Sequence, residues 1–298
     1  MNPDLVEGMA EIARTYVDNT AEPGSVPLEP VVLAVRGPVV VARVGDVVVK
    51  AHEPGTPVEP LRARLAVAAD HRTGDVLLPP LGPPAFVGDR VVTVWPFGTP
   101  VPQGEPEELP MEAAGRVLAA LHRFPAADFP GVPESGAWSR MVRAVREMPS
   151  SPVADVVLRA FGTLPAAPRA GSAVIHGDWH LGQLLWRDGW RLIDLDDLGR
   201  GDPAWDLARP AALLLAGVLD PDTWARLLDA YAAAGGTAVA PTDPWAALEV
   251  PARALVVQMA ARALTAAERD GKRLDDAQDA LIEACGRIVS THEPVTRG

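Results

Sequence analysis

The chain has 298 residues and a formal net charge of −12, from 27 basic and 39 acidic side chains. This acidic balance argues against nucleic acid as a partner, because neutralising phosphates needs a basic face. Cys285 is the only cysteine, which excludes an intrachain disulfide. No apolar run reaches the roughly 20 residues of a membrane span, and no signal-peptide pattern opens the chain. We therefore expect a protein of the cytoplasm that does not enter a membrane.

The first third of the chain predicts a small antiparallel sheet with flanking helices. Apolar spacing predicts a helix over 4–18. Three β-branched runs follow between Val31 and Ala51, and Gly37 and Gly45 separate them, which is typical of strands joined by tight turns. A helix is then predicted over 61–71, and a strand over 90–98 that ends at Pro96.

The rest of the chain predicts a mostly helical part. The predicted helices cover 111–123, 138–162 with an interruption at Pro152, 204–217, 221–234, 244–269 and 274–289. Two short strands, SAVIHGD and WRLIDLDD, surround a loop. These patterns together predict an α+β, bilobal fold with an N-terminal lobe over 1–94, a hinge over 95–98 and a helical C-terminal lobe over 99–298. Ligands commonly bind in clefts between lobes, and we expect the loop at 176–199 to face such a cleft.

The stretch HGDWHLGQ carries the densest set of reactive side chains. Asp178 lies in a loop after an apolar strand, where it can orient a hydroxyl nucleophile and accept its proton. His176 can brace that loop through hydrogen bonds to the backbone. The amide oxygen of Gln183 is a hard ligand that suits Mg²⁺.

The stretch WRLIDLDD supplies the carboxylates that complete this set. Asp194 ends the predicted strand RLID and is the natural second metal ligand. Asp196 lies two residues later, on the same side of an extended segment because strand side chains alternate. Magnesium is usually held by one or two carboxylates together with substrate phosphates.

Lys50 and Lys272 are the only lysines among the 27 basic residues. Arginine cannot replace lysine where a compact ammonium must fit a narrow site, so Lys50, in the apolar run VVVKAH, is a candidate for function. Phosphoryl transfer needs a metal, a lysine on the nucleotide phosphates and a residue that orients the incoming hydroxyl. Lys50, Gln183 with Asp194, and Asp178 could fill these three roles.

The motifs HGDWHLGQLLW and WRLIDLDDLGRGDPAWDLARP resemble the aminoglycoside phosphotransferase and choline kinase superfamily, which has a protein-kinase-like fold. The resemblance is strongest over 174–210. It implies a catalytic base at Asp178, metal binding at Gln183 and Asp194, and phosphate contact by Lys50. It also implies a structural role for Asp206 and adenine recognition by the hinge backbone around Val94, Trp95 and Phe97. ATP and Mg²⁺ are the implied cofactors.

The chain departs from the family pattern at three places. Gln183 stands where Asn is usual, and the spelling HLGQ is similar to the maltokinase and glucosamine kinase branch. The loop between the first strands offers only Gly37 for covering phosphates. The helix expected to carry a Glu partner for Lys50 has no acid in its middle, which leaves Glu59, a residue from elsewhere, or no partner at all.

The motifs therefore predict an ATP-dependent phosphotransferase that acts on a hydroxyl of a sugar, amino sugar or aminoglycoside-like molecule. One alternative is a kinase-fold protein that binds a nucleotide or ligand without turnover. A second is a metallohydrolase with His176, Asp178 and His180 as ligands. The aromatic residues Trp179, Trp205, Trp224, Tyr231 and Trp245 are more typical of core than of an acceptor pocket. The sequence does not indicate an oligomeric state.

Overall fold

The fold is known from a computed structural model that describes residues 2–17, 28–102, 104–240 and 242–292. The helices are α1 (Pro3–Arg14), α2 (Val58–Ala69), α3 (Met111–Leu121), α4 (Ala137–Glu147), α5 (Pro152–Gly162), α6 (Ala204–Ala216), α7 (Pro221–Ala233), α8 (Trp245–Asp270) and α9 (Asp276–His292). The strands are β1 (Val31–Arg36), β2 (Val39–Val44), β3 (Val47–Ala51), β4 (Ala85–Val87), β5 (Arg90–Pro96), β6 (Thr99–Pro100), β7 (Ala173–Ile175), β8 (Leu184–Trp186), β9 (Trp190–Leu192) and β10 (Gly199–Gly201).

These elements form two units, each discontinuous in sequence. Unit 1 contains Met1–Val101, Phe129–Pro133 and Leu184–Asp196. Unit 2 contains Pro102–Asp128, Glu134–Gln183 and Asp197–Gly298. The predicted boundaries, with a hinge over 95–98, stay a prediction.

Unit 1 is built on a five-stranded antiparallel sheet with the order β1-β2-β3-β5-β4. Helix α1 packs against β2 and β3. It begins at an Asn2 N-cap and buries the apolar side of its amphipathic sequence against alternate strand residues. The buried residues are Leu5, Val6, Met9, Ala10 and Ala13 of α1, with Val40, Ala42, Val44, Val47, Val49 and Ala51 of the two strands. Since side chains alternate along a strand, Lys50 of β3 points to the face opposite this core.

A smaller antiparallel sheet, with the order β6-β8-β9, belongs to the same unit. Strand β9 is fixed to the segment before β4 by two main-chain hydrogen bonds. Leu78 N–H donates to Leu192 O at 3.0 Å, and Leu192 N–H donates to Val76 O at 2.8 Å. The residues that follow Leu192, including Asp194 and Asp196, are thereby held within unit 1.

Unit 2 is mostly helical and is organised around α8. This 26-residue helix packs against α4, α5, α6 and α9, while α3 packs against α7. The core joins small side chains of α6 and α8 with larger ones from α4, α5 and α9, including Met141, Val157, Leu281 and Cys285. Strands β7 and β10 pair antiparallel in this unit. Within the described ranges, no helix is both long enough and apolar enough to span a bilayer.

Most predicted elements are present, with shifted ends. The interruption predicted at Pro152 is present: α4 ends at Glu147 and α5 begins at Pro152, whose fixed φ and missing N–H suit the first turn of a helix. The helix predicted over 4–18 ends at Arg14, and residue 18 lies outside the described residues.

The extended strand predicted through Asp194 and Asp196 is wrong. Strand β9 ends at Leu192, Asp194 has a left-handed backbone with φ +61°, and Leu195–Asp197 form a 3-10 turn. A left-handed residue cannot continue a pleated strand, and Asp is among the residues that adopt this conformation most readily.

Candidate functional site

Unit 1 gathers one lysine and two carboxylates. Lys50 Nζ lies 2.5 Å from Asp194 Oδ1 and 2.7 Å from Asp196 Oδ2. Strand β3 presents the lysine, and the turn after β9 presents both acids. The two acids are separated from Lys50 by 144 and 146 positions in the sequence. Burial alone would lower the pKa of Lys50, but the two carboxylates hold it above its ordinary value. The Lys50 ammonium is therefore charged, and carboxylate oxygens of Asp194 and Asp196 already contact it.

The left-handed backbone of Asp194 is what aims its carboxylate at Lys50 instead of along a strand. A non-glycine residue in this region costs roughly 1–3 kcal/mol and persists only where its surroundings fix it. Such residues cluster at functional sites, which fits the metal-binding role predicted for Asp194.

Asp196 has a second basic neighbour. His52 Nδ1 lies 3.5 Å from Asp196 Oδ1, and His52 Nε2 is hydrogen-bonded to Thr93 Oγ1 at 2.9 Å. Burial alone would raise the pKa of Asp196, but the hydrogen bond with His52 and the charge of Lys50 hold it well below its usual range. Asp196 is therefore ionised.

Lys50 has acidic partners other than the glutamate that the family pattern places on the following helix. Glu59 lies in the first turn of α2 with its side chain 81% exposed, and the ion pair described for it is with Arg62 at 3.6 Å. Among the three possibilities left open for Lys50, the structure supports partners from elsewhere, namely Asp194 and Asp196.

The predicted hinge residues lie at the end of β5. Val94 is buried, and its carbonyl accepts a hydrogen bond from Leu81 N–H at 2.9 Å. Trp95 donates its indole N–H to Thr93 Oγ1 at 3.0 Å. The Phe97 N–H donates to Asp46 O at 2.7 Å, and the Arg43 guanidinium lies over its ring at 3.5 Å. Adenine recognition by this segment stays a prediction, and the Phe97 N–H already has a main-chain acceptor.

Unit 2 carries the loop that contains Asp178. The carboxylate of Asp206 holds this loop in place through hydrogen bonds. His176 N–H and Gly177 N–H donate to the two carboxylate oxygens of Asp206 at 2.7 and 2.8 Å, and His122 Nε2 lies 3.0 Å from Oδ2. Burial alone would raise the pKa of Asp206, but the hydrogen bond with His122 and the nearby histidines hold it below its ordinary value. The buried His122 also contacts Tyr231 Oη at 2.9 Å through Nδ1.

Gly177 is required by the shape of this loop. Its φ is +82°, and a Cβ at this position would lie 2.4 Å from both Asp197 O and Ser135 Oγ. His176 is buried, and its Nδ1 accepts a long hydrogen bond of 3.4 Å from Asp178 N–H. The order His-Gly-Asp thus provides a brace, a left-handed turn and a projecting acid.

Asp178 is held between two arginines that sequence reasoning missed. Arg209 Nη2 of α6 lies 2.6 Å from Asp178 Oδ1, and Arg140 of α4 forms an ion pair with Oδ2. Arg140 also pairs with Asp197. The available signals were the spacing of Arg140, Arg143 and Arg146 along one helix, and Arg209 three residues after Asp206.

Gln183 is buried at the end of the 3-10 turn Leu181–Gln183, directly before β8. Its N–H donates to His180 O at 2.8 Å. Gln183 belongs to unit 2 and Asp194 to unit 1, so their joint role as metal ligands stays a prediction.

Comparison with known families decides the assignment. The sequence model of a family described as "Phosphotransferase enzyme family" matches residues 39–248, well over half of the chain. The chain belongs to this phosphotransferase family. The predictions of superfamily and of enzyme class are confirmed. No curated protein sequence matches the chain significantly.

Solved structures show the fold of the family. A thermostable mutant of aminoglycoside phosphotransferase APH(4)-Ia, in a ternary complex with AMP-PNP and hygromycin B, matches with a TM-score of 0.62 at 13% identity, covering 95% of this chain and 99% of that one. A choline/ethanolamine kinase family protein from Mesorhizobium loti matches with 0.56 at 19% identity, covering 96% of both chains. A macrolide 2'-phosphotransferase from Brachybacterium faecium matches with 0.52 at 19% identity, covering 95% and 99%. The predicted α+β, protein-kinase-like fold class is confirmed.

The metallohydrolase alternative finds no support in this phosphotransferase. Over the described part of the chain, no three His, Cys, Asp or Glu side chains converge as metal ligands. Of its three proposed ligands, His180 accepts from Gly182 N–H at 3.0 Å and Asp178 pairs with arginines. The aromatic residues Trp179, Trp205, Trp224 and Tyr231 are buried, in agreement with a core role.

Proposed function

We propose that this phosphotransferase uses Mg·ATP to phosphorylate a hydroxyl group of a small molecule. The observation that carries the proposal is the cluster of Lys50 with Asp194 and Asp196 in unit 1. A compact ammonium beside two carboxylates is what nucleotide phosphates and their metal require.

The donor set fits magnesium. Asp194 and Asp196 offer hard carboxylate oxygens that already surround a cation, the Lys50 ammonium. Asp194, with Gln183, would hold the metal, and Lys50 would then turn to the nucleotide phosphates. The metal would neutralise charge on the transferring phosphoryl group.

Asp178 is the proposed catalytic residue. It would accept the proton of the acceptor hydroxyl as that oxygen bonds to the γ-phosphorus. The bond from the γ-phosphorus to the bridging oxygen breaks, and ADP takes the electron pair. The hydrogen bonds that the His176 and Gly177 N–H groups donate to the Asp206 carboxylate fix the loop that positions Asp178.

A binding protein without turnover is the second candidate. It is favoured by one observation, that each carboxylate oxygen of Asp178 already faces a guanidinium group. Exchange of one of these ion pairs when the acceptor binds would free a carboxylate oxygen for its hydroxyl.

Two measurements separate the candidates. Calorimetry with Mg·ATP should show binding to the purified chain, and ATP consumption should rise with at least one acceptor among sugars, amino sugars, aminoglycosides and small amino alcohols. Binding without consumption favours the second candidate. The absence of Mg·ATP binding contradicts the kinase proposal.

A further inference from the structure

The surroundings of Asp178 in unit 2 are basic, although the protein carries a net charge of −12. Arg140 and Arg209 contact Asp178 directly. Helix α8, which carries Arg262, packs against both α4 and α6, the helices that carry those two arginines. Arg143 lies one turn after Arg140 on α4. We call Arg140, Arg143, Arg209 and Arg262 the arginine cluster.

The members of the cluster lie close enough to affect one another. Burial and the charge of Arg140 lower the pKa of Arg262, with further contributions from Arg209 and Arg143, while Asp178 acts in the opposite direction. The carboxylates described in contact with the cluster are Asp178 and Asp197. Arg140 and Arg209 pair with these carboxylates, and Arg143 and Arg262 add further positive charge near the predicted catalytic base.

The hydrogen-bonding capacity of the cluster is also incompletely used. The buried Nε–H groups of Arg140 and Arg209 find no acceptor among the described residues, nor does the indole N–H of Trp179, the neighbour of Asp178. All three are donors. Guanidinium groups are suited to planar, two-point recognition of carboxylates and phosphates.

We propose that the acceptor is a small alcohol that carries a carboxylate or a phosphate group. This inference rests on the proposed kinase function and names its substrate class. The anionic group takes the place of Asp178 as the partner of Arg140 and Arg209. Asp178 is thereby released beside the acceptor, where one of its oxygens can receive the hydroxyl proton during transfer.

The arrangement also explains which acceptors are disfavoured. A polycationic amino sugar would bring ammonium groups toward an excess of guanidinium charge, and like charges brought together reduce affinity. An anionic acceptor replaces one carboxylate with another, so Arg140 and Arg209 keep an anionic partner.

The test compares acceptors of matched skeleton on the wild-type chain. Glycerol, glycerate and glycerol 3-phosphate form one set; glucose, gluconate, glucose 6-phosphate and glucosamine form another, and kanamycin is added as a polycation. Mg·ATP binding is measured first, because its absence contradicts the kinase function itself. In a chain that binds Mg·ATP, we expect kcat/KM at least tenfold higher for an anionic member than for its neutral or cationic counterpart.

The carboxylate and phosphate members distinguish the two sources of negative charge. Preference for a neutral or cationic acceptor, or no transfer to any anionic member by a chain that binds Mg·ATP, overturns the inference while leaving the kinase function to be judged on its own.

A variant pair tests the cluster without touching the residues that contact Asp178. Arg143→Gln combined with Arg262→Gln should raise KM for the preferred anionic acceptor by about tenfold, with kcat and KM for ATP within about twofold of wild type. Arg159→Gln, at an exposed position of α5, is the matched control and should change none of these. The inference is contradicted if the double variant and Arg159→Gln change KM for the acceptor equally. It is also contradicted if the double variant changes only KM for ATP.

Discussion

Asp178 shows how one residue takes its role from its neighbours. If it orients the acceptor hydroxyl, Asp178→Asn should lower kcat by about 10²–10⁴-fold, because the contribution of such a base is made mainly in the transition state. The dissociation constant of Mg·ATP, measured by calorimetry, should stay close to that of wild type. Asp188→Asn, at an exposed left-handed turn position that Asn adopts readily, is the matched control.

A large rise in the ATP dissociation constant with little change in kcat would contradict the role given to Asp178. Asp178 would then serve nucleotide binding, and its ion pairs with Arg140 and Arg209 would persist when the acceptor binds.

Lys50 is the second residue whose identity can be tested directly. Lys50→Arg keeps the charge but replaces a compact ammonium with a broad planar fork, which two carboxylates at 2.5 and 2.7 Å from one nitrogen cannot accept in the same way. We expect kcat/KM for ATP to fall by at least about tenfold, a loss of roughly 1.4 kcal/mol. Lys272→Arg replaces the other lysine, which is exposed, and should leave turnover unchanged. Near-normal activity of Lys50→Arg would show that another group holds the phosphates.

At the scale of elements, the Asp178 loop depends on a glycine. Gly177→Ala should destabilise the protein by about 1–3 kcal/mol, because Ala is strained at φ +82° and its Cβ would collide with Asp197 O. The midpoint of chemical denaturation should fall accordingly, and activity should fall with it. Gly162→Ala is the control, since nothing lies within 4 Å of a Cβ near the end of α5. A Gly177→Ala protein as stable as Gly162→Ala would contradict the tight turn described here.

The elements also show what sequence could predict and what it could not. The β-branched runs predict the hairpins of β1 to β3. The apolar spacing predicts α3, α6, α7 and α8 to within a few residues of their ends. Lys50 was singled out by its rarity and by its place on a strand. Its partners could not be predicted, because the turn after β9 depends on the left-handed backbone of Asp194, whereas strand alternation predicts an extended segment there.

The arginines around Asp178 were missed for a related reason. Arg140 and Arg209 are separated from Asp178 by 38 and 31 positions, and only the packing of α4 and α6 brings them to it. Helical spacing shows which side chains share a face of one helix, but it does not show which loop that face meets. Net charge was equally uninformative, since a chain at −12 contains a locally basic site.

At the scale of the whole molecule, Cys285 reports on the integrity of unit 2. It is fully buried in the core formed by α4, α5, α8 and α9, and burial raises the pKa of its thiol to about 12. Because the thiolate is the reactive form, native protein at pH 8 should resist alkylation, and unfolding in denaturant should restore it. Mass spectrometry after timed exposure to iodoacetamide measures this. Ser150→Cys, at an exposed position, provides the control for rapid labelling. Equal rates at the two sites would show that the core around Cys285 is open.

The interrupted course of the chain sets the order in which the protein can be completed during synthesis. The segment Leu184–Asp196 belongs to unit 1, although two stretches of unit 2, Pro102–Asp128 and Glu134–Gln183, precede it. A ribosome must therefore make about two-thirds of the chain before strands β8 and β9 can join the unit that begins at the N-terminus. Until then Lys50 is without Asp194 and Asp196. A fragment that stops at Val101 contains the five-stranded sheet but leaves that lysine without the acids that hold it, so nucleotide-binding studies need the full chain.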